Sequence, residues 1–214
     1  MKKEASRYEF SGREDIVRLI QRPFVAYFRD SNPVLDIGCG GGVFLELLAK
    51  AGIEAAGVDR SEEAVSACRA RGLRVEQEDA REYLRRSRGQ FGGIFCSHVI
   101  EHMVYDDAVE LLQLCHGALR PNGLLLLITP NPEDLAVISE IFWLDPTHVR
   151  PYPRLLLRKM LDSAGFQVKR DRPFLGNWRV IGRRKLAGYI VRRVLLGRHF
   201  GKQNTLILAQ KSGN

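Results

Sequence analysis

The side chains best suited to chemistry fall into two groups along the chain. Asp36 lies in one short apolar run, Asp59 closes the next and Asp79 follows a third, and His98, His102, His148 and Arg150 come later. Histidine titrates near neutral pH and can take a proton from a hydroxyl, while arginine holds an anion through paired hydrogen bonds. The acids are informative by position. Val34-Leu-Asp-Ile-Gly-Cys-Gly-Gly-Gly42 is an apolar run that passes straight into a glycine loop and then into an amphipathic stretch. Glycines there allow a tight turn and close approach of a ligand. The loop is not G-x-G-x-x-G, because position 43 is Val43, and no Gly-Lys-Ser/Thr of a phosphate loop follows. It reads as acid-x-Gly-x-Gly-x-Gly over Asp36, Gly38, Gly40 and Gly42. An acid at its head repels a pyrophosphate and suits a cationic, amino-acid-like ligand. Asp59 ends the next run, where a carboxylate can accept both ribose hydroxyls. Asp79-Ala80 ends the third, where the side chain and the following N–H can read an adenine edge, or simply cap a helix.

These residues need a scaffold that brings successive strand ends together. Apolar runs at Val34–Ile37, Ala55–Val58, Leu73–Val75, Gly93–Cys96 and Leu124–Ile128 alternate with stretches of helical period at Val43–Ala51, Glu62–Arg71, Arg81–Arg86 and Asp107–Leu119. Such alternation implies βαβ units and a parallel sheet, whose ligands bind at the carboxyl ends of the strands. Gly52, Gly72 and Asn122-Gly123 punctuate the connections, and Gly12–Phe28 reads as an amphipathic helix before the first strand. From Pro130 onward, five prolines mark a loop-rich stretch carrying Asp145-Pro-Thr-His-Val-Arg150, followed by a helix over Leu155–Ala164 and final strands at Phe166–Arg170 and Thr205–Ala209. The expectation is one α/β domain over 1–214. Within it, 1–30 is an N-terminal helix or lid, 31–130 a cofactor-binding core, 131–165 an acceptor-site loop and helix, and 166–214 a final strand pair carrying a basic insertion at 176–202.

The composition is that of a folded globular chain, with 214 residues, 45% hydrophobic and 27% charged. No apolar run approaches the roughly 18–20 residues a membrane-spanning helix needs. Four separated cysteines without a C-x-x-C pair suit packing roles in a reducing cytoplasm. The net charge of +8 is uneven. Residues 169–214 carry 12 basic residues against one acid, Asp171, whereas residues 1–168 carry 21 against 24. Over Trp178–Arg198, Leu186, Tyr189, Ile190, Val194 and Leu196 share an apolar side, and Arg184, Lys185, Arg192 and Arg193 gather opposite. This pattern suits either peripheral contact with an anionic membrane from the cytoplasmic side or packing on the domain with a solvated basic face. Nucleic acid is the least supported partner, since no interleaved aromatic series accompanies the charge. Oligomeric state is not legible.

The ordered motifs resemble the class I S-adenosylmethionine-dependent methyltransferases: the glycine loop, Asp59, Asp79-Ala80, Phe95-Cys-Ser-His-Val-Ile-Glu-His102 and Leu119-Arg-Pro-Asn-Gly-Leu-Leu. The resemblance implies a three-layer α/β sandwich on a seven-stranded, mostly parallel Rossmann-like sheet with an antiparallel last strand, and S-adenosyl-L-methionine as cofactor. By it, Asp36, Gly38, Cys39 and Gly40 face the methionine part, Asp59 the ribose, and Asp79-Ala80 the adenine. Arg60 and Ser97 adjoin that site, Arg60 standing where apolar residues are frequent. Arg13 either closes over the cofactor carboxylate or is a solvated helix arginine. A narrower likeness, carried by Tyr8-Glu-Phe-Ser-Gly-Arg-Glu14, Thr129-Pro-Asn-Pro132 and Trp143–Tyr152, is to the methyltransferase part of O-antigen chain-terminating enzymes.

The acceptor side follows from the chemistry of that class. In-line displacement at a methyl sulfonium depends on alignment, with proton removal for a hydroxyl acceptor or anion positioning for a phosphate. His98, after the fourth strand, and His148 with Arg150, in a polar loop over the site, are the expected acceptor contacts. An Asp145 pair with Arg150 or His148 that merely fixes the loop is the alternative. His102 is expected to support the site or start a helix. His98-Val-Ile-Glu-His102 also matches the inverted zinc-protease signature, but its first histidine sits at a strand end and not on a helix, so no metal is expected. The function expected is methyl transfer to a sugar hydroxyl or phosphate in surface-polysaccharide biosynthesis. The alternatives are a small-molecule O-methyltransferase of the quinone-biosynthesis type and a non-catalytic cofactor-binding regulator.

Overall fold

A computed structural model describes residues 14–174, 194 and 201–213. Arg13, the rest of the expected lid before residue 14, and nearly all of the basic insertion at 176–202 lie outside the described residues. Seven strands form one sheet: β1 (Val34–Ile37), β2 (Ala55–Asp59), β3 (Val75–Gln77), β4 (Phe91–Ser97), β5 (Leu119–Pro130), β6 (Phe166–Phe174) and β7 (Asn204–Lys211). Their order is β3-β2-β1-β4-β5-β7-β6. Pairings from β3 through β5 are parallel, and β7 runs antiparallel to both β5 and β6. The strand order reverses between β1 and β4, which opens a crevice at their carboxyl ends.

Helices cover both faces, giving the expected three layers. On one side α1 (Glu14–Gln21), a 3-10 segment (Arg22–Phe28) and α2 (Val43–Lys50) pack on β1, β4 and β5 through Phe24, Phe28, Phe44, Phe95 and Leu126. The Phe44 and Phe95 ring centroids are 3.9 Å apart and seat the start of α2, just after the glycine loop, against β4. α3 (Glu62–Ala70) packs beside them through Val65 and Cys68. The other face carries α4 (Ala80–Arg85), α5 (Tyr105–Ala118) and α7 (Arg154–Ser163), with α6 (Leu135–Ser139) in the connection beyond β5. α3 and α4 begin at side-chain caps: Ser61 Oγ accepts from Ala64 N, and Asp79 Oδ1 accepts from Arg81 N.

Several elements depart from expectation, among them β3, which runs over Val75–Gln77 instead of Leu73–Val75, and β5, which begins at Leu119 instead of Leu124. The single helix read over Gly12–Phe28 is α1 followed by a 3-10 turn, because Pro23 has no N–H to continue an α-helical ladder. β6 runs past Arg170 to Phe174, since its pairing with β7 absorbs an irregularity between Val168 and Arg170 and then continues. That extension places Asp171 against α7, where it accepts from Arg158 Nη1 at 2.9 Å.

Candidate active site

The glycine loop joins β1 to α2 in a conformation only glycine adopts readily. Gly38 and Gly42 have φ of +67° and +74°. A Cβ on Gly38 would lie 2.5 Å from Val99 Cγ2, so a side chain there is excluded by contact as well as by backbone strain. Gly40 N donates to Asp59 Oδ2 at 2.8 Å, and Ser61 N donates to Asp59 Oδ1 at 2.8 Å. Asp59 thus ties the loop to the end of β2, a structural task the sequence reading, which gave it the ribose hydroxyls, did not assign.

Asp36 is 3% exposed and has no hydrogen-bond partner among the described residues. Burial pushes its carboxyl well above the ordinary range, and the Asp59 charge adds to the shift. A buried acid in this condition lacks a cation, which an amino-acid ammonium beside a sulfonium would supply. The same burial, with the Asp36 charge next, pushes the Cys39 thiol above its usual value. Cys39 is therefore an inert loop residue that offers backbone, and its sulfur packs over Gly57.

Asp79 caps α4, accepting from Arg81 N at 2.8 Å and Glu82 N at 3.4 Å through Oδ1. Its other oxygen accepts from Arg60 Nη2, which spans the gap between the ends of β2 and β3. Burial raises the Asp79 carboxyl, but the Arg60 hydrogen bond and the cap outweigh it and hold the group below its ordinary value. Capping and ligand binding therefore use one residue: Oδ1 is committed to the helix, and an adenine edge would share Oδ2 with Arg60. Ala80 is the first residue of α4 and Ser97 the last of β4, both part-buried at the same end of the sheet.

The acceptor side is organised by a residue the sequence reading did not select. Glu101, in the 3-10 segment Ile100–His102 after β4, is 0% exposed. Its Oε1 lies 3.0 Å from His98 Nδ1, and its Oε2 accepts from Thr129 Oγ1 at 3.0 Å. Burial opposes both charges of the His98–Glu101 pair, yet their mutual hydrogen bond and attraction prevail. Glu101 sits below its ordinary value and His98 above its own. His98 has φ +56°, a left-handed backbone uncommon outside glycine, and its side chain is about half exposed. Strain of this kind persists where the surroundings over-determine it; here His98 N donates to Ile128 O at 2.9 Å.

The polar loop after α6 does reach this site. Val149 N and Arg150 N donate to the Glu101 carbonyl at 2.8 and 3.3 Å. His148 is largely buried, its ring 4.8 Å from that of His102 and 4.5 Å from that of Phe142. The Arg150 guanidinium lies over the rings of Tyr105 at 5.7 Å and Tyr152 at 5.2 Å. No carboxylate pairs with it among the described residues, so of the two loop-fixing pairs considered Asp145–Arg150 does not form, while the Asp145 carboxylate does lie 3.9 Å from His148 Nε2. Asp145 instead accepts from Thr147 N and Oγ1, at 2.8 and 2.6 Å. The structure thus brings His98, His148 and Arg150 to one end of the sheet, joined through Glu101. The only signal that could have found Glu101 is its spacing of three from His98, which the H-x-x-E-H pattern contained.

A sheet of this order with an acid-headed glycine loop and carboxylates within β1, at the end of β2 and just beyond β3 defines a class I S-adenosylmethionine-dependent methyltransferase. A family described as "Methyltransferase domain" matches residues 8–170, and the chain belongs to it. Among solved structures, a SAM-dependent methyltransferase from Archaeoglobus fulgidus is 30% identical, with a TM-score of 0.82 over 95% of this chain and 97% of the other. Ubiquinone biosynthesis O-methyltransferase of Pseudomonas aeruginosa (strain LESB58) is 33% identical over 114 residues, 50% of this chain and 48% of that protein. The enzyme of the same name from Thiobacillus denitrificans is 29% identical over 152 residues, 64% of this chain and 65% of its own. The chain spans about half the length of the first of these relatives. S-adenosyl-L-methionine is the cofactor of this class, and the unpartnered Asp36 and the glycine cradle fit it.

Proposed function

We propose that this enzyme transfers a methyl group to an oxygen of a small hydroxyl-bearing acceptor. The observation that carries the reading is the His98–Glu101 pair at the end of β4, one strand from Asp36. When bound, S-adenosylmethionine supplies an electrophilic methyl on a positively charged sulfur. The chain's own contribution is to hold the acceptor in line and to take its proton. Glu101 fixes His98 Nδ1 as the donor nitrogen, which leaves Nε2 as the base. The O–H bond breaks to His98 as the O–CH3 bond forms, and the sulfur leaves as a neutral thioether. The relatives are named as O-methyltransferases of ubiquinone biosynthesis, which supports an oxygen acceptor.

A phosphate or glycan acceptor of the surface-polysaccharide kind is the second reading. It is favoured by Arg150, part-buried between two tyrosines with no acid partner among the described residues, a seat for an anion. Replacement of His98 by alanine tests the first reading: turnover should fall at least about 100-fold, the usual contribution of a general base, with cofactor affinity retained. Unchanged turnover refutes it. We also propose, on the sequence pattern of 178–198 alone, that the basic insertion meets anionic membrane. Among the described residues no helix is long and apolar enough to cross one.

A further inference from the structure

Arg71, the C-cap residue of α3, directs its donors at the glycine loop. Its Nε donates to the Ala67 carbonyl at 3.2 Å, the usual use of a cation at a helix end. The two terminal nitrogens reach further. Nη2 donates to the Gly41 carbonyl, and Nη1 donates to Glu46 Oε1 at 2.9 Å. Beside them the Cys68 thiol donates to the Gly40 carbonyl at 3.3 Å. Two successive loop carbonyls are thus held by the end of α3.

These bonds matter because a glycine loop does not fix itself. Gly40 and Gly42 have φ of +48° and +74°, and glycine gives up more backbone freedom than any other residue when it is ordered. Gly42 N donates to the Cys39 carbonyl at 2.9 Å, which closes a turn. The Gly41–Gly42 peptide is therefore held at its N–H by that turn and at its carbonyl by Arg71. The approach is close: a Cβ on Gly42 would lie 2.8 Å from Cys68 Sγ and 3.6 Å from Arg71 Nη2. A cradle ordered before its ligand arrives spares that ordering cost at binding. Capping α3 needs Nε alone, and an interhelical ion pair needs Glu46 alone; the bond to Gly41 serves neither.

Glu46 carries the connection to α1. It lies in the first turn of α2, and its second oxygen accepts from Arg18 Nη2 at 2.6 Å. The Arg18 hydrogen bond holds the Glu46 carboxyl below its ordinary value against burial, and the charges of Arg18 and Arg71 add to that. Glu14, the first residue of α1, has Oε1 4.0 Å from Arg71 Nη1 and 3.5 Å from where a Cβ on Gly41 would lie. One carboxylate shared by two guanidiniums thus links α1 to the loop.

We propose that Arg71 is a positioning residue for the cofactor, holding the Gly41 carbonyl and, through Glu46 and Arg18, making cofactor affinity depend on the docking of α1. By linkage, bound cofactor strengthens that docking by the same factor. The inference rests on the cofactor assignment and not on the identity of the acceptor.

The test measures S-adenosylhomocysteine binding to the full chain by calorimetry, with circular dichroism to confirm that each variant folds. Arg71→Ala should weaken binding about 10-fold, the scale of one hydrogen bond from a charged donor. Arg71→Lys supplies a compact charge that cannot hold carbonyl and carboxylate together, so it should lose only about 3-fold; it carries the test if alanine prevents folding. Arg18→Ala, which reaches the loop only through Glu46, should cost about 3-fold, and combined with Arg71→Ala it should add less than that. Arg74→Ala breaks an exposed pair with Glu54 just beyond the same helix without touching the loop, and affinity should not change. Hydrogen exchange of α1 should slow when S-adenosylhomocysteine binds. Wild-type affinity in every folded Arg71 variant, or an equal loss in Arg74→Ala, overturns the positioning role. Losses for Arg18 and Arg71 that multiply in full, or exchange of α1 indifferent to the cofactor, overturn the coupling to α1.

Discussion

Asp36→Asn should move stability and ligand affinity in opposite directions. The wild-type carboxylate is buried, lacks a hydrogen-bond partner among the described residues, and is repelled by Asp59. Its carboxyl is raised in the folded protein, so its stability contribution is complete at pH values below the unfolded pKa and is lost as pH rises through the folded one. The amide removes this penalty at nearly the same volume. The ligand-free variant should therefore be more stable than wild type, by a margin that grows from acid toward neutral pH. In a 214-residue chain each kcal/mol recovered raises the melting temperature by about 2–4 °C. A charge-assisted hydrogen bond to the cofactor ammonium is worth about 1.5–3 kcal/mol, so affinity for S-adenosylhomocysteine should fall roughly 10–150-fold. Thermal denaturation between pH 5 and 8 and calorimetry with the product cofactor read the two effects separately. A variant less stable than wild type at neutral pH, or one that binds the cofactor undiminished, refutes the reading of Asp36 as an acid awaiting a cation.

Other substitutions test the neighbouring parts. Gly38→Ala should lower the melting temperature, since left-handed backbone costs alanine about 1–2 kcal/mol and its Cβ meets Val99; adding Val99→Ala should restore only the contact share. Asp59→Ala frees the Gly40 and Ser61 N–H groups and should weaken cofactor binding about 10-fold or more by calorimetry. Arg60→Ala removes an exposed ion pair while the Asp79 cap remains, so denaturant titration should show a loss below about 1 kcal/mol. Arg150→Ala should reduce turnover with cofactor affinity unchanged; a parallel loss of cofactor binding would move Arg150 away from the acceptor side.

The cofactor side was legible because its determinants are local. A glycine loop, a buried run ahead of it and acids at successive strand ends are sequence-adjacent features, and parallel sheet topology alone brings them together. Asp79 shows the limit, since cap and ligand contact place the same demand on that position and the structure shows the cap in use. The acceptor side depends on contacts between distant segments. Asp145–Arg150 could be recognised as a polar loop without regular period, but its anchoring to the Glu101 carbonyl could not. Glu101 itself was hidden by its burial, which inverts the usual expectation for a carboxylate and is possible only because His98 and Thr129 satisfy both oxygens. The 3-10 turn after α1 follows from Pro23, a signal that helical periodicity outweighed in the sequence reading.

The central claim is methyl transfer to oxygen assisted by His98, and it is tested most directly by incubating the full chain with methyl-labelled S-adenosylmethionine and matched acceptors. The panel should pair phenols, catechols, sugars and sugar phosphates with O-methyl-blocked counterparts and with amines and thiols of the same skeleton. Mass spectrometry then locates the label on the product. The account predicts one labelled methyl on a hydroxyl oxygen, formation that ceases with the blocked acceptor, and a large loss in His98→Ala. Label on nitrogen or sulfur, or on oxygen at a rate indifferent to His98, would contradict it.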